Sequence, residues 1–156
     1  MSGIVIESSL YWFEGPIVNN VVVRNNYFEN TNLSTEGVSI GSAINISVEM
    51  WGGGSTALTL KDLFVNIDIK DNEFRNIRAG LISGRNISGL NIENNKVENA
   101  FYEPKSEFYN RIRPHGENYM IYLQNCEKVT VKNNTVSGLG SVYKGLENYQ
   151  STDFND

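Results

Sequence analysis

Four ten-residue segments of the chain align without a gap: VVVRNNYFEN from Val21, IDIKDNEFRN from Ile67, LNIENNKVEN from Leu90 and VTVKNNTVSG from Val129. A repeat of this kind constrains the fold more than any other feature. Each copy is a unit that cannot bury its own apolar face and must stack on a neighbour of the same kind. The copies start 46, 23 and 39 residues apart (67−21, 90−67, 129−90). That spacing predicts a basic coil of about 23 residues, one inserted coil's worth of chain, and one loop of about 16 residues.

Within each copy the apolar residues alternate. Val21 and Val23, Ile67 and Ile69, Leu90 and Ile92, and Val129 and Val131 share one parity, which is the signature of strand. Asn26, Asn72, Asn95 and Asn134 then occupy one shared position, followed two residues later by Phe28, Phe74, Val97 or Val136. Asn at such a turn can adopt left-handed geometry, and its amide both donates and accepts. Stacked at the inter-strand spacing of about 4.8 Å, these amides would bond from coil to coil as an internal ladder. Second strands stand upstream of the copies at Gly3–Ile6, Ala43–Val48, Ala79–Ser83 and Tyr119–Leu123. The expected fold is all-β, a short or truncated right-handed single-stranded parallel β-helix, and not a sandwich built from antiparallel hairpins. Coils are expected over residues 1–138, with loop insertions near 7–16, 49–64 and 102–118. Residues 139–156 form a C-terminal cap or a disordered tail.

A chain of 156 residues fits one domain. Its net charge of −5, with no Lys/Arg-rich run, argues against a nucleic-acid partner. No apolar run is long enough for a membrane-spanning helix, and the first residues lack the form of a signal peptide. Cys126 is the only cysteine and His115 the only histidine, so no metal site, internal disulfide or cofactor is expected. Cys126 reads as a buried turn residue.

Candidate binding residues fall in the interruptions of the repeat, where solenoids carry function. The first holds Glu7, Trp12 and Glu14, aromatic rings beside carboxylates that could stack on a sugar and bond its hydroxyls. The same residues could equally plug a groove between coils. Trp51 is a second stacking platform or a loop anchor. Tyr102, Arg111, Arg113 and His115 form the densest polar excursion, which could hold a hydroxyl-rich or anionic ligand or could be a solvated loop face. Hydrolysis of a glycoside needs two carboxyl groups, which stacked coils could supply as a column of acids. Alignment of the second strands puts Glu7 with Ser47, Ser83 and Gln124, which gives one acid only. Asp71 aligns with Asn25, Asn94 and Asn133 and reads as a turn residue. Loop acids (Glu7, Glu14, Glu49, Glu103) remain as candidates for the pair, and otherwise the catalytic coils lie outside the chain.

The opening Gly3–Glu7, then Trp12-Phe-Glu-Gly15, then Val18 to Phe28 resembles the late coils of bacterial α-1,3-galactosidases of glycoside hydrolase family 110, and the similarity runs to about Gly138. The resemblance implies metal-free, inverting removal of terminal α-linked galactose by secreted or periplasmic enzymes. Their aspartate-bearing catalytic coils lie upstream of the matching segment. It therefore implies a piece of a carbohydrate-active enzyme whose partner is a glycan with terminal galactose. The alternative is a non-catalytic glycan-binding or scaffold β-helix. Exposed terminal coils would also favour an end-to-end homodimer, because an uncovered sheet edge invites pairing.

Overall fold

The computed structural model describes residues 2–9, 17–31, 42–49, 62–78, 80–100, 119–139, 145–148 and 154–155. Among them there is no helix. Fourteen strands follow one another: β1 (Ile4–Ser9), β2 (Val18–Arg24), β3 (Tyr27–Glu29), β4 (Ser42–Glu49), β5 (Phe64–Lys70), β6 (Glu73–Ile77), β7 (Gly80–Arg85), β8 (Ile87–Glu93), β9 (Lys96–Ala100), β10 (Tyr119–Gln124), β11 (Glu127–Lys132), β12 (Thr135–Leu139), β13 (Gly145–Asn148) and β14 (Phe154–Asn155). Every third strand joins the same sheet. The first sheet has the order β1-β4-β7-β10-β13, the second β2-β5-β8-β11-β14 and the third β3-β6-β9-β12. All the pairings are parallel. The chain is thus an all-β protein of three parallel sheets, consistent with a parallel β-helix.

Register follows the repeat. Val21, Ile67, Leu90 and Val129 stand opposite one another, as do Val23, Ile69, Ile92 and Val131. Ile67, Ile69, Leu90, Ile92 and Val129 are fully buried, joined from the first sheet by Ile44, Ile46, Ile82 and Leu123. Removing each such side chain from water contributes roughly 1.5–3 kcal/mol, and the stacking supplies that burial without any helix. In the third sheet Phe74 lies under Phe28, with ring centroids 4.7 Å apart and planes 6° from parallel, so the rings repeat at the spacing of the strands.

Left-handed residues turn the corners. Asn25, Asp71, Asn94 and Asn133 have φ of 55° or 56°, directly before the shared Asn of each repeat. The left-handed geometry expected at the shared Asn therefore lies one residue earlier, and Asp71 is a turn residue as expected. Three further stacked corners follow the same rule. They are Asn86 and Asn125, then Asn20, Asn66, Gly89 and Lys128, and then Asn30, Asn76, Asn99 and Gly138, while Asp62 takes the same geometry one residue out of the first column. Asn tolerates this geometry best of the side-chain-bearing residues, which is why the repeat is rich in it. Gly138 has a second reason for its identity. A Cβ there would lie 2.4 Å from Asn99 Oδ1.

The shared Asn residues form the internal ladder. The backbone N–H and Nδ2 of Asn26 donate to Oδ1 of Asn72, both at 3.0 Å. Asn72 donates likewise to Asn95 at 3.1 and 3.0 Å, and Asn95 to Asn134 at 3.0 and 2.9 Å. The second Nδ2 hydrogen of Asn72, Asn95 and Asn134 goes to the carbonyl of Val23, Ile69 and Ile92 respectively. Asn72 and Asn95 are fully buried, and each uses both amide hydrogens and both oxygen lone pairs. A buried polar column is tolerable because every member is satisfied.

Three boundaries differ from expectation. β1 continues to Ser9, so the first interruption starts after Glu7 rather than at it. β4 reaches Glu49 and β5 begins at Phe64, which narrows the second. No triplet of strands stands between the first two repeats, because β2 pairs directly with β5. The additional chain between them falls in residues 32–41 and 50–61, and that of the third interruption in 101–118, all outside the described residues. Beyond Gly138 the chain adds one strand to each of two sheets, β13 beside β10 and β14 beside β11.

Candidate functional site

Of the residues singled out in the sequence, Glu7 is described, and it stands exposed on β1. Trp12, Glu14, Trp51, Tyr102, Arg111, Arg113 and His115 lie outside the described residues, as does Glu103. The candidate site is therefore built from Glu7 and the strand positions that register brings beside it.

In β1 the inward parity belongs to Ile4 and Ile6, which pack on the core, so Val5 and Glu7 share the opposite face. Glu7 pairs with Ser47 of β4, and Ser47 Oγ lies 3.5 Å from Glu7 Oε1. Asn45, two residues earlier, donates from Nδ2 to Ser47 Oγ at 2.8 Å. Asn45 stands opposite Ser83, and Ser83 opposite Tyr122. The row of Glu7 then continues one residue past the pair Ile46 and Gly84, to Arg85, which stands opposite Gln124. The row is thus Glu7, Ser47, Arg85 and Gln124. The alignment that placed Ser83 in it is two residues short, because Gly80, not Arg78, stands opposite Ser42. Gly84 carries the clue. It takes the inward place held by Ile46 and Leu123, where a Cβ would come 2.7 Å from Ile87 Cδ1 and 3.1 Å from Leu123 Cδ2.

This face of the first sheet offers a carboxylate, a guanidinium, two amides and three hydroxyls across four neighbouring strands. Arg85 is half-buried, and Gln124 is buried, its Oε1 closed to solvent and without a hydrogen-bond partner among the described residues. Groups of this kind, alternating donors and acceptors on a rigid sheet, suit a polyhydroxylated ligand. A second acid is near by register. Glu49 stands opposite Ser9 and thus two residues beyond Ser47, at a Cα separation of about 8 Å from Glu7 given the strand rise and spacing.

The other two sheets are differently occupied. On the second sheet Glu93 bridges Lys70 at 4.0 Å and Lys132 at 3.1 Å, Asp68 receives Lys70 at 3.4 Å and Asn91 Nδ2 at 2.7 Å, and Glu127 accepts from Ser88 at 2.9 Å. On the third, Glu73 pairs with Lys96 at 3.2 Å and Glu98 with Arg75 at 3.6 Å. Tyr27 first and Glu98 second hold the Arg75 guanidinium above its usual range. These acids serve neighbouring triplets rather than a ligand. Exposed pairs of this type contribute at most about 1 kcal/mol each.

Cys126 is buried between β10 and β11, as expected for a turn residue. Burial pushes its thiol up to about 11, against the opposing pull of hydrogen bonds with the backbone of Ile87, Gln124 and Asn86. It is protonated at neutral pH and unsuited to act as a nucleophile. Among the described residues no three of His, Cys, Asp and Glu come together as metal ligands. None of their helices could cross a membrane, since there are none.

Comparison with models of protein families, with curated proteins and with solved structures finds no match to this chain.

Proposed function

We propose that the three sheets wind as a right-handed single-stranded parallel β-helix and that the chain is part of a carbohydrate-active enzyme. In its most specific form this is an α-1,3-galactosidase of the glycoside hydrolase family 110 type. Parallel strands joined through a crossover are right-handed in nearly all proteins, which supports the hand. The observation that carries the functional reading is the polar row Glu7, Ser47, Arg85 and Gln124. A glycan hydroxyl can accept from Arg85, and Glu7 and Ser47 can take a neighbouring hydroxyl. The ligand class is a glycan ending in α-linked galactose, met outside the cytoplasm.

The ion-paired acids of the second and third sheets support a non-catalytic role for those faces. Inverting hydrolysis needs carboxyl groups roughly 6.5–9.5 Å apart, and the family resemblance puts the catalytic aspartates on coils upstream of this segment. The chain alone then binds the glycan without cleaving it. The test is binding and hydrolysis of a panel of α- and β-linked galactosides by the full chain, beside Glu7→Gln and Arg85→Ala. Selective binding of α-galactosides, lost at least tenfold in either variant, is the expected result. Absence of glycan binding would leave the scaffold reading, and turnover abolished by Glu7→Gln would put the acid pair within this chain.

A further inference from the structure

The two ends of the stack differ. Among the described residues β13 and β14 add a level to the first and second sheets but not to the third. The other end is level, since β1, β2 and β3 are the edge strands of all three sheets and no described strand pairs with their outer side.

At this level end the repeated hydrogen-bond pattern is interrupted in a specific way. Asn72, Asn95 and Asn134 each send one Nδ2 hydrogen back to a carbonyl of the preceding triplet. No described triplet precedes that of Asn26, which donates at 3.0 Å to the carbonyl of Arg24, two residues before it. Oδ1 of Asn72, Asn95 and Asn134 each accepts two N–H groups from the preceding rung, whereas Oδ1 of Asn26 accepts none among the described residues. The outer ladder runs the other way. Asn76 and Asn99 donate from Nδ2 to Oδ1 of Asn30 and Asn76, and Asn66 donates to Asn20. The level end therefore presents an inner acceptor, Asn26, and outer amide donors, Asn20 and Asn30. Around them, Ile4, Ile6, Val21 and Phe28 are only partly buried, while their register partners Ile44, Ile46, Ile67 and Phe74 are at most 1% exposed.

We infer that the edge formed by β1, β2 and β3 is a docking surface for a further triplet of β-strands that carries the same repeat. The match is chemical as well as steric. Such a triplet supplies an Asn whose N–H groups reach Oδ1 of Asn26, a carbonyl to receive its Nδ2, an Asn or Asp oxygen over Asn30, and an apolar or aromatic side chain over Phe28. A second copy of this chain does not offer that set. Turned end over end it reverses strand direction and takes its corners out of register. The inference uses the stacking alone and not the sugar chemistry.

The test adds a triplet. Residues 80–100, which form a complete triplet without insertion, are fused before Ser2 of the full chain through a two-residue link, the length that joins Ile77 to Gly80. Asn26→Ala is then introduced with and without the fusion, and unfolding is followed in denaturant. In the unextended chain the expected change in the unfolding equilibrium constant is threefold or less. In the extended chain it is at least tenfold, matching Asn72→Ala, and the extended chain unfolds at a higher midpoint. An equal Asn26→Ala effect in both, with the added segment open to protease, would overturn the proposal. So would a dimer of the unextended chain in sedimentation that Asn26→Ala dissociates, because that would make a second copy the occupant.

Discussion

Replacing Asn95 by Ala tests the internal ladder at its most buried rung. The side chain accepts from the N–H and Nδ2 of Asn72 and donates to Ile69 O and Asn134 Oδ1, and it is 0% exposed. Ala removes all four bonds and leaves two backbone groups, Asn72 N–H and Ile69 C=O, without those partners in a place water does not reach. Each buried group left unmet costs about 1–3 kcal/mol, so the expected loss is about 2–6 kcal/mol, or most of the stability of an ordinary domain at the upper end. Asn26→Ala provides the internal scale. Asn26 is exposed, Asn72 Oδ1 keeps the backbone N–H of residue 26, and water can replace the rest, so the expected loss is under about 1 kcal/mol. Urea unfolding followed by circular dichroism measures both. Equal losses at the two positions, or a loss below about 1 kcal/mol at Asn95, would refute the claim that burial and full hydrogen bonding make the ladder matter.

Other consequences are as direct. Phe74→Ala removes a fully buried ring that stacks on Phe28 and should cost about 3–5 kcal/mol in the same assay, while Phe74→Leu should cost clearly less. Gly84→Ala should cost about 1–3 kcal/mol, because its methyl group meets Ile87 and Leu123 and only side-chain shifts can admit it. Gly138→Asn should be better tolerated than Gly138→Ala, since Asn fits the left-handed corner already used by Asn30, Asn76 and Asn99. The Cys126 thiol has a native pKa raised from 9.0 to about 11, so the unfolded state loses its proton first as pH rises. Its contribution to stability is complete below pH 9 and is lost as pH climbs through about 11. The difference in stability between the wild type and Cys126→Ala should therefore shrink across that window, and the native thiol should react with a disulfide reagent far more slowly than the unfolded one.

Period-2 alternation and the gapless copies made the second sheet and the Asn column legible in the sequence, down to the register of Val21, Ile67, Leu90 and Val129. The physical reason is that one buried face and one fixed corner allow no slip. The first sheet was harder. It has no invariant Asn to mark its register, and Gly84 sits where an apolar residue was sought, so Arg85 was missed in the row of Glu7. Corner geometry was assigned one residue late because two consecutive Asn, such as Asn94 and Asn95, divide the work. One turns the chain and the other bonds inward. Of the candidate residues only Glu7 lies within the repeat frame and so has a position that the sequence can assign; insertions obey no period, and nothing in Trp12 or His115 themselves fixes where the chain carries them.

The most direct test of the stacked, in-register arrangement is a disulfide between Asp68→Cys and Asn91→Cys, which are opposite one another on β5 and β8 with their side chains 2.7 Å apart. Partners in adjacent strands fall within the Cα range a disulfide needs, roughly 4.4–6.8 Å, whereas Asp68→Cys with Glu93→Cys is offset by two residues and falls outside it. Rapid oxidation of the first pair and not of the second, read by mobility on a non-reducing gel, is the predicted result. A 68/91 pair that stays reduced, or that links no better than the offset pair, would contradict the register on which the whole account stands.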